Sequence, residues 1–461
     1  MIQIPHQLAN ISTKLKSHNA KAILVGGLIR DYFLDQESKD YDIEVYGIQD
    51  IEELQNILSG FGSVNLVGKS FGVLKLTLDG DEYDFSLPRT ENKCGDKHNE
   101  FIVSCDANLS YTDAFSRRDF TINAIGYDIE TGDFIDPFCG INDLENSILK
   151  HINDDTFIED PLRVYRAVQF VSRFNLQIDT YTYELCKKMV NDEMLEFLPK
   201  ERVYIELQKL LLKSPAPSIG FELMRSLEIL RYFPELEAII DVPQSHKWHP
   251  EGDVWIHTMM CLDEMARLIS DDESDDKKLN EKLMWATLCH DFGKATTTQV
   301  VGDKITAMGH EEAGIEPMRS FMYRVTNEHS LIGGIEPLIR HHLAPSQFYQ
   351  GGAKAPAIRR LSTKVNIAEL VTLARADFLG RTTPESLSRI YKAGDWLLEC
   401  AKELGVHDNA PAALLQGRDL IILGLAPSPK FKKLLHTTYE AQLDGQINNH
   451  SEALEFARKL I

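Results

Sequence analysis

Ala22-Ile23-Leu24-Val25-Gly26-Gly27-Leu28-Ile29-Arg30-Asp31 and, shortly after, Lys39-Asp40-Tyr41-Asp42-Ile43-Glu44-Val45 are the runs on which the fold turns. The first is apolar up to Gly26-Gly27 and then takes on a helical pattern, which predicts a strand, a tight turn and a helix start. A turn of that kind gathers backbone N–H groups and the positive end of the helix dipole, so it suits a phosphate. In the second run Asp40, Asp42 and Glu44 alternate with Tyr41, Ile43 and Val45, and the two-residue period of a strand puts the acids on one face. Carboxylates side by side repel one another unless a cation sits between them. Either signal alone fits an ordinary turn or a solvated strand. Together in one compact unit they point to phosphate chemistry.

The length of 461 residues suggests about three domains with ample chain for a core. A hydrophobic share of 43% beside 26% charged residues is that of a globular chain, which sets aside fibrous and disordered classes. Met1-Ile2-Gln3-Ile4-Pro5-His6 has no basic n-region, and no apolar stretch reaches the ~18 residues that span a bilayer. The expectation is a cytoplasmic enzyme without a membrane partner. Cysteines 94, 105, 139, 186, 261, 289 and 400 are scattered and odd in number, which predicts reduced thiols and neither a disulfide frame nor a zinc-thiolate site. The net charge of −21 means that any grip on nucleic acid must come from local basic segments.

Further along, Gly72–Leu78 and Glu82–Leu87 flank Asp79-Gly80-Asp81, a hairpin signal that leaves Asp84 on a polar strand face. Residues 92–115 are polar and aperiodic and read as a long loop. Ser116-Arg117-Arg118-Asp119-Phe120-Thr121-Ile122-Asn123-Ala124-Ile125 reads as charged residues entering an apolar helix, and Asp136-Pro137-Phe138 closes the unit. Glu159-Asp160-Pro161-Leu162-Arg163-Val164-Tyr165-Arg166 opens a helical region, with Asp160 before a proline as a good helix cap and Arg163 and Arg166 on the same face. Helical periodicity continues to about residue 240, with Lys187, Lys188, Lys200, Arg202, Lys209 and Lys213 available to face RNA phosphates.

The Gly-Gly turn, the Asp-x-Asp strand, the Arg-Arg-Asp-Phe-Thr-Ile-Asn-Ala run and Glu-Asp-x-x-Arg together resemble the bacterial class II branch of transfer-RNA nucleotidyltransferases and poly(A) polymerases. The resemblance implies that Asp40 and Asp42, joined by Asp84, bind Mg2+ and are catalytic. It implies that Gly26, Gly27, Arg30 and Arg118 hold the nucleotide, and that Asp160, Arg163 and Arg166 contact its base. Past the break at Pro243–Asp253, His257, His290-Asp291 and Asp377 resemble the metal set of an HD phosphohydrolase domain, with His310, His341 and His342 as lesser candidates. Such a centre would hold a divalent ion, Mg, Mn, Ni or Co. Asp271–Asp276 reads as a solvated acidic linker, and Gly417-Arg418-Asp419-Leu420 through Lys433 resembles a tRNA-holding tail.

The implied fold is α+β. A nucleotidyltransferase-type sheet head over 1–150 is followed by an all-helical neck and body over 151–242, an HD region over 243–400 and a helical tail over 401–461. The implied function is template-free addition or repair of the tRNA 3′-terminal CCA from CTP and ATP, releasing pyrophosphate, with a secondary phosphohydrolase. A poly(A) polymerase, a CC-only or A-only enzyme, and a phosphohydrolase with a nucleotide-binding head are the alternatives. Monomer and homodimer stay open.

Overall fold

The computed structural model describes residues 2–67, 72–93, 101–272 and 276–461, with backbone alone at 90–93 and 101–105. The middle of the acidic linker, 273–275, and residues 94–100 lie outside the described residues. The chain divides into two compact units, Met1–Glu206 with Leu223–Ile229, and Leu207–Glu222 with Leu230–Ile461.

The first unit is built on a seven-stranded sheet. Strand β1, Lys21–Val25, is buried from Ala22 onward, as its unbroken apolar run requires of a strand covered on both faces. It pairs antiparallel with β2, Tyr41–Tyr46. Strands β3 (Ser63–Val67), β4 (Val73–Leu78) and β5 (Asp81–Ser86) follow, and the sheet closes with β8 (Gly126–Asp128) and β9 (Phe134–Ile135), giving the order β3-β4-β5-β2-β1-β8-β9. All neighbours are antiparallel except β2 and β5, which run parallel. The β4–β5 hairpin appears as expected, its two turn residues Asp79 (φ 54°) and Gly80 (φ 92°) both left-handed, as a two-residue turn between twisted strands demands. Ile23, Val25, Tyr46, Phe115 and Ala124 form the apolar layer beneath.

Two local expectations fail. β6 (Arg89–Lys93) runs into the predicted loop and pairs antiparallel with β7 (Phe101–Cys105) inside it, and the loop's end forms a short helix α1, Tyr111–Ser116, whose Ser110 cap accepts from the Asp113 N–H. The polar composition of Arg89-Thr90-Glu91-Asn92-Lys93 offers no apolar alternation to announce a strand. Nor does the Arg-Arg-Asp run enter a helix: α1 ends at Ser116, and a single 3-10 turn, Thr121–Asn123, leads into β8. The Asp119 carboxylate accepts from the Phe120 N–H (2.8 Å) and from Asn123 Nδ2 (2.9 Å), a local side-chain network that competes with helix.

Helix α2, Leu162–Phe174, packs its apolar face inward and ends on left-handed Asn175. Two short strands, Ile148–Leu149 and Gln177–Ile178, pair in parallel within this otherwise helical part. The second unit is a helical assembly containing α3 (Val254–Ser270), α4 (Lys277–Cys289), α5 (His329–His341) and α6 (Ile367–Leu379), plus one small antiparallel hairpin, Gln299–Val301 with Lys304–Thr306. Among the described residues no helix is long and apolar enough to cross a membrane.

Candidate active site and metal centre

The parallel ladder between β2 and β5 sets Asp42 directly beside Asp84. Asp84 Oδ1 is shielded from water and makes no hydrogen bond, with Lys75 Nζ 3.8 Å away. Asp40 stands just ahead of β2 and is exposed. The Asp42 carboxyl is pushed above its ordinary value: burial by surrounding protein atoms is the largest cause, Asp84, Asp40 and Glu44 add to it, and Arg118 opposes it. Gly26 closes the group. It has φ +79°, open to glycine, and a Cβ there would lie 3.3 Å from Asp42 Oδ2 and 3.3 Å from Arg118 Nη1. An all-oxygen set with one orphaned carboxylate oxygen and one strained acid fits a hard divalent cation such as Mg2+.

Glu44, on the same strand, does something else. It is buried and accepts from Arg117 Nη2 (2.8 Å), Arg118 Nη2 (3.0 Å) and the Tyr46 hydroxyl (3.1 Å). Arg118 Nη1 also donates to the Asn123 carbonyl (3.2 Å), so this guanidinium is fixed between Glu44 and the acid group. Arg30 is placed differently from the expectation of an open phosphate ligand. It is buried, donates to Asp31 Oδ1 (2.8 and 2.6 Å) and Asn123 Oδ1 (2.7 Å), and its guanidinium lies over the rings of Phe170 (5.2 Å) and Phe174 (4.5 Å). Asp31 is its neighbour in the chain, but sequence spacing could not reveal Asn123, Phe170 and Phe174, which lie 93 to 144 residues away.

Arg166 donates to Asp119 Oδ2 (2.7 Å). Burial would raise the Asp119 carboxyl, but Arg166, Asn123 and Arg163 together hold it below its ordinary value. Arg163 Nη1 donates to the Thr156 carbonyl (2.5 Å) and Nη2 to that of Arg117 (2.6 Å), which uses two of five guanidinium N–H groups. Asp160 accepts from the Leu162 N–H (3.3 Å) and from Arg202 (2.8 Å); it is not the cap its place before Pro161 predicts, because α2 starts one residue later with Pro161 itself at the N-cap, and Asp160 instead closes the preceding short helix, Asp154–Glu159. Lys187 is paired with Glu228 (2.7 Å), whereas Lys188 is exposed.

In the second unit, α3 carries His257, the end of α4 presents His290 and Asp291, and α6 carries Asp377. His257 Nε2 lies 3.1 Å from Asp377 Oδ1 and 3.8 Å from Asp291 Oδ2, and His290 Nε2 lies 3.2 Å from Asp291 Oδ2. His290 Nε2 and Asp291 Oδ1 are buried without a hydrogen bond. His310 and His342 approach from the other side, 3.4 and 4.0 Å from Asp291 Oδ1. Burial resists ionisation here, yet His290 and Lys294 hold Asp291, and Arg381 and His257 hold Asp377, well below the usual carboxylate range. His342 is pushed down to about 3, first by burial and then by His310 and His290. His341 does not join the cluster; it is half-buried, because the residue that turns inward at the end of α5 is its neighbour His342. Convergent imidazole and carboxylate atoms without hydrogen-bond partners fit a divalent metal. A cleft of about 710 Å³ opens onto Asp291 and Asp377, rimmed by Lys247, Trp248, Lys304 and Met308.

Sequence reasoning missed several members of this centre. Glu251, from the segment read only as a boundary, accepts from Nδ1 of both His249 (2.9 Å) and His257 (2.8 Å), and from the Thr382 N–H (3.1 Å). Arg381, one helical turn after Asp377, clamps both its oxygens (2.7 and 2.8 Å). Cys261 follows His257 by four residues, a spacing that did carry a signal.

A curated relative from Pasteurella multocida (strain Pm70), named multifunctional CCA protein, is 32% identical over 400 residues, covering 84% of this chain and 91% of the relative. The chain belongs to the multifunctional CCA protein family. Within it, residues 22–150 match the family model described as the poly A polymerase head domain, which takes in Gly26, Asp40, Asp42, Asp84 and Arg118. Residues 175–240 match the model described as the probable RNA and SrmB-binding site of polymerase A. The family fold is also that of solved CCA-adding enzymes: one from Bacillus stearothermophilus in complex with CTP (TM-score 0.69, 19% identity, 99% of this chain and 98% of that one) and one from Thermotoga maritima complexed with tRNA_CCA (TM-score 0.61, 19% identity, 99% and 96%).

Proposed function

We propose that this chain adds or repairs the 3′-terminal CCA of tRNA, using CTP and ATP without a nucleic-acid template and releasing pyrophosphate, in the cytoplasm. The observation that carries the reading is the pairing of Asp42 with Asp84 across a parallel ladder, with Gly26 beside the Asp42 carboxylate and Arg118 near enough to act on its charge. Family membership and the matched head segment support it. Asp40, Asp42 and Asp84 would hold Mg2+, which when bound supplies charge stabilisation at the α-phosphate and lowers the pKa of the attacking 3′-hydroxyl. The Gly26–Gly27 turn lets the triphosphate approach backbone, and Arg118, held by Glu44, offers its remaining N–H groups to the nucleotide. Asp160 as acceptor and Arg163 as donor match the two kinds of atom on a base edge. Arg166 contributes by holding Asp119, and Arg30 by anchoring Asp31 and Asn123 rather than by touching phosphate. In this reading the head spans 1–150, the base-reading neck and body 151–242, the metal-centre region 243–400 and an RNA-holding tail 401–461.

The decisive experiment supplies labelled CTP and ATP separately to tRNA ending before CCA, after C and after CC. Incorporation of two C residues and then one A supports the reading. Addition of C alone or A alone assigns a partial enzyme, and untemplated A runs on arbitrary RNA assign a poly(A) polymerase.

The cluster around His257, His290, Asp291 and Asp377 favours a second activity, metal-dependent hydrolysis of phosphoesters such as terminal phosphates or 2′,3′-cyclic phosphates. A bound divalent ion there supplies an acidified water. His290→Ala combined with Asp291→Ala tests it: phosphatase and cyclic phosphodiesterase activity should disappear while CCA addition persists.

A further inference from the structure

Trp248 stands at the rim of the cleft that opens onto Asp291 and Asp377, and it is left in the open there. Among the described residues the four tryptophans all belong to the second unit; Trp255 and Trp285 are buried and Trp396 packs edge-on against Tyr349 (5.6 Å), whereas Trp248 keeps 55% of its surface exposed. We propose that Trp248 is a base platform for the second-unit centre: its substrate is a nucleotide whose base stacks on the indole while the phosphoester reaches His257, His290, Asp291 and Asp377. The inference rests on reading that cluster as a phosphohydrolase.

Three observations carry it. The first is how the wall that bears the indole is built. The Trp248 and His249 N–H groups both donate to the Ser245 carbonyl (2.9 and 2.8 Å), which closes a tight turn. Just before the turn, Gln244 accepts from Lys294 Nζ (2.7 Å), the same ammonium that donates to Asp291 Oδ2 (2.6 Å), and Gln244 Nε2 donates to the Asp253 carbonyl (3.0 Å). Just after Trp248, the His249 ring stands edge-on to the His257 ring, centroids 4.5 Å apart, and both rings share Glu251. The segment is thus tied to the centre on either side of Trp248. The place of the indole relative to the reacting phosphate is set before a substrate arrives.

The second is the character of the rim. An indole left in water at the mouth of a cleft has apolar area and a π face to give to a flat partner. Lys247 Nζ lies over the ring, 4.7 Å from its centroid, and Met308, 86% exposed, adds apolar surface to the same cleft. Lys304 brings further positive charge to the lining, suited to phosphate oxygens. A nucleobase offers the flat ring that such a platform takes, whatever its sequence, and a phosphosugar or a phosphorylated serine does not.

The third is size. At about 710 Å³ the cleft falls within the roughly 300–1,000 Å³ of sites that take a small organic molecule, so it has room for a nucleoside beside the phosphate.

The test compares three cyclic phosphodiesters on the full-length chain, with magnesium, manganese, nickel and cobalt supplied in turn: adenosine 2′,3′-cyclic phosphate, a short single-stranded RNA ending in that group, and methyl ribofuranoside 2′,3′-cyclic phosphate, which lacks a base. KM should be about 5–100-fold lower for the two that carry a base. Trp248→Ala should remove that advantage, in KM rather than kcat, and Trp248→Phe, which keeps a stacking ring, should retain most of it. A second readout needs no metal: in chelator, adenosine 2′-monophosphate should saturably quench the tryptophan fluorescence of the wild type, a signal confined to the second unit, and ribose 5-phosphate should not. Equal KM values in the wild type, an advantage that survives Trp248→Ala, or absence of the quench overturns the platform and leaves hydrolysis standing. Quenching without hydrolysis of any of the three esters overturns the phosphohydrolase and leaves the platform standing. With the platform upheld, a lower KM for the RNA than for the free nucleotide assigns a chain end as the substrate, and equal values assign a free nucleotide.

Discussion

Asp42→Asn should abolish nucleotide transfer and at the same time stabilise the metal-free protein. Adjacent strands lie about 4.8 Å apart, and two unit charges at that range interact by about 0.9 kcal/mol in water and about 3.5 kcal/mol at an effective dielectric of 20. Asp42 reaches solvent, so the low end applies, and losing the attraction to Arg118 offsets part of the relief. About 0.5 kcal/mol of stabilisation remains. In a unit of about 200 residues that raises Tm by roughly 1–2 °C. The sign follows from the raised native carboxyl. The folded state binds this proton more tightly than the unfolded chain, so the contribution favours folding below the ordinary value of 3.8 and is lost as pH rises through the raised one. The gap between variant and wild type is therefore full at neutral pH and closes in acid. Calorimetry in chelator at pH 7 and near pH 3.5, paired with an incorporation assay, measures it. Added magnesium should raise the wild-type Tm and leave the variant unmoved. A variant that melts lower than wild type in chelator at pH 7, or that still incorporates CMP, refutes the reasoning.

Glu44→Ala leaves Arg117 and Arg118 facing an empty buried site and should cost about 3–5 kcal/mol, with a higher KM for CTP and ATP as Arg118 loses its anchor; denaturant melts and initial rates check both. Arg30→Lys keeps the charge but loses the fork to Asp31 and Asn123, so stability should fall by about 1–3 kcal/mol while nucleotide KM stays near wild type. A large KM change with unaltered stability would return Arg30 to phosphate binding. In the second unit burial depresses His249 to about 4 and His342 to about 3. The unfolded chain then binds more protons as pH falls below 6.5, so metal-free stability should decline from pH 6.5 toward 4, with the raised His290 working against the trend. A flat pH profile of melting in chelator refutes this.

Legibility in the sequence followed the range of the interactions involved. The strand–Gly-Gly–helix turn and the β4–β5 hairpin depend on neighbouring residues, and their residue types announced them. The adjacency of Asp42 and Asp84 was suggested by a polar strand face, but only a parallel ladder joining residues 42 apart makes it. The resemblance implied a nucleotide contact for Arg30; in the structure its guanidinium meets Asp31 beside it, Asn123 from the Asp119–Asn123 turn and two rings of α2, the last three of which no local pattern announces. Asp119 and Asn123 resembled the start of an apolar helix because a buried, irregular segment and a buried helix share one composition. His342 rather than His341 turns inward because of where α5 ends, which a His-His pair cannot disclose. Glu251 and His249 lay in a proline-rich break whose irregular backbone hides its contacts from any periodicity.

The order of strands in the sheet has a consequence for how the protein is made. The central strand β1 has β2 on one side and β8 on the other, and β8 lies about a hundred residues later in the chain. A ribosome that has delivered Gly26, Asp42 and even Asp84 has not yet delivered the strand that completes β1, nor Arg118. Until roughly residue 128 has left the exit tunnel, a partly synthesised head keeps an open, apolar strand edge, where β-edges invite unwanted pairing. Pulse-labelled nascent chains should become protease-resistant only after that point.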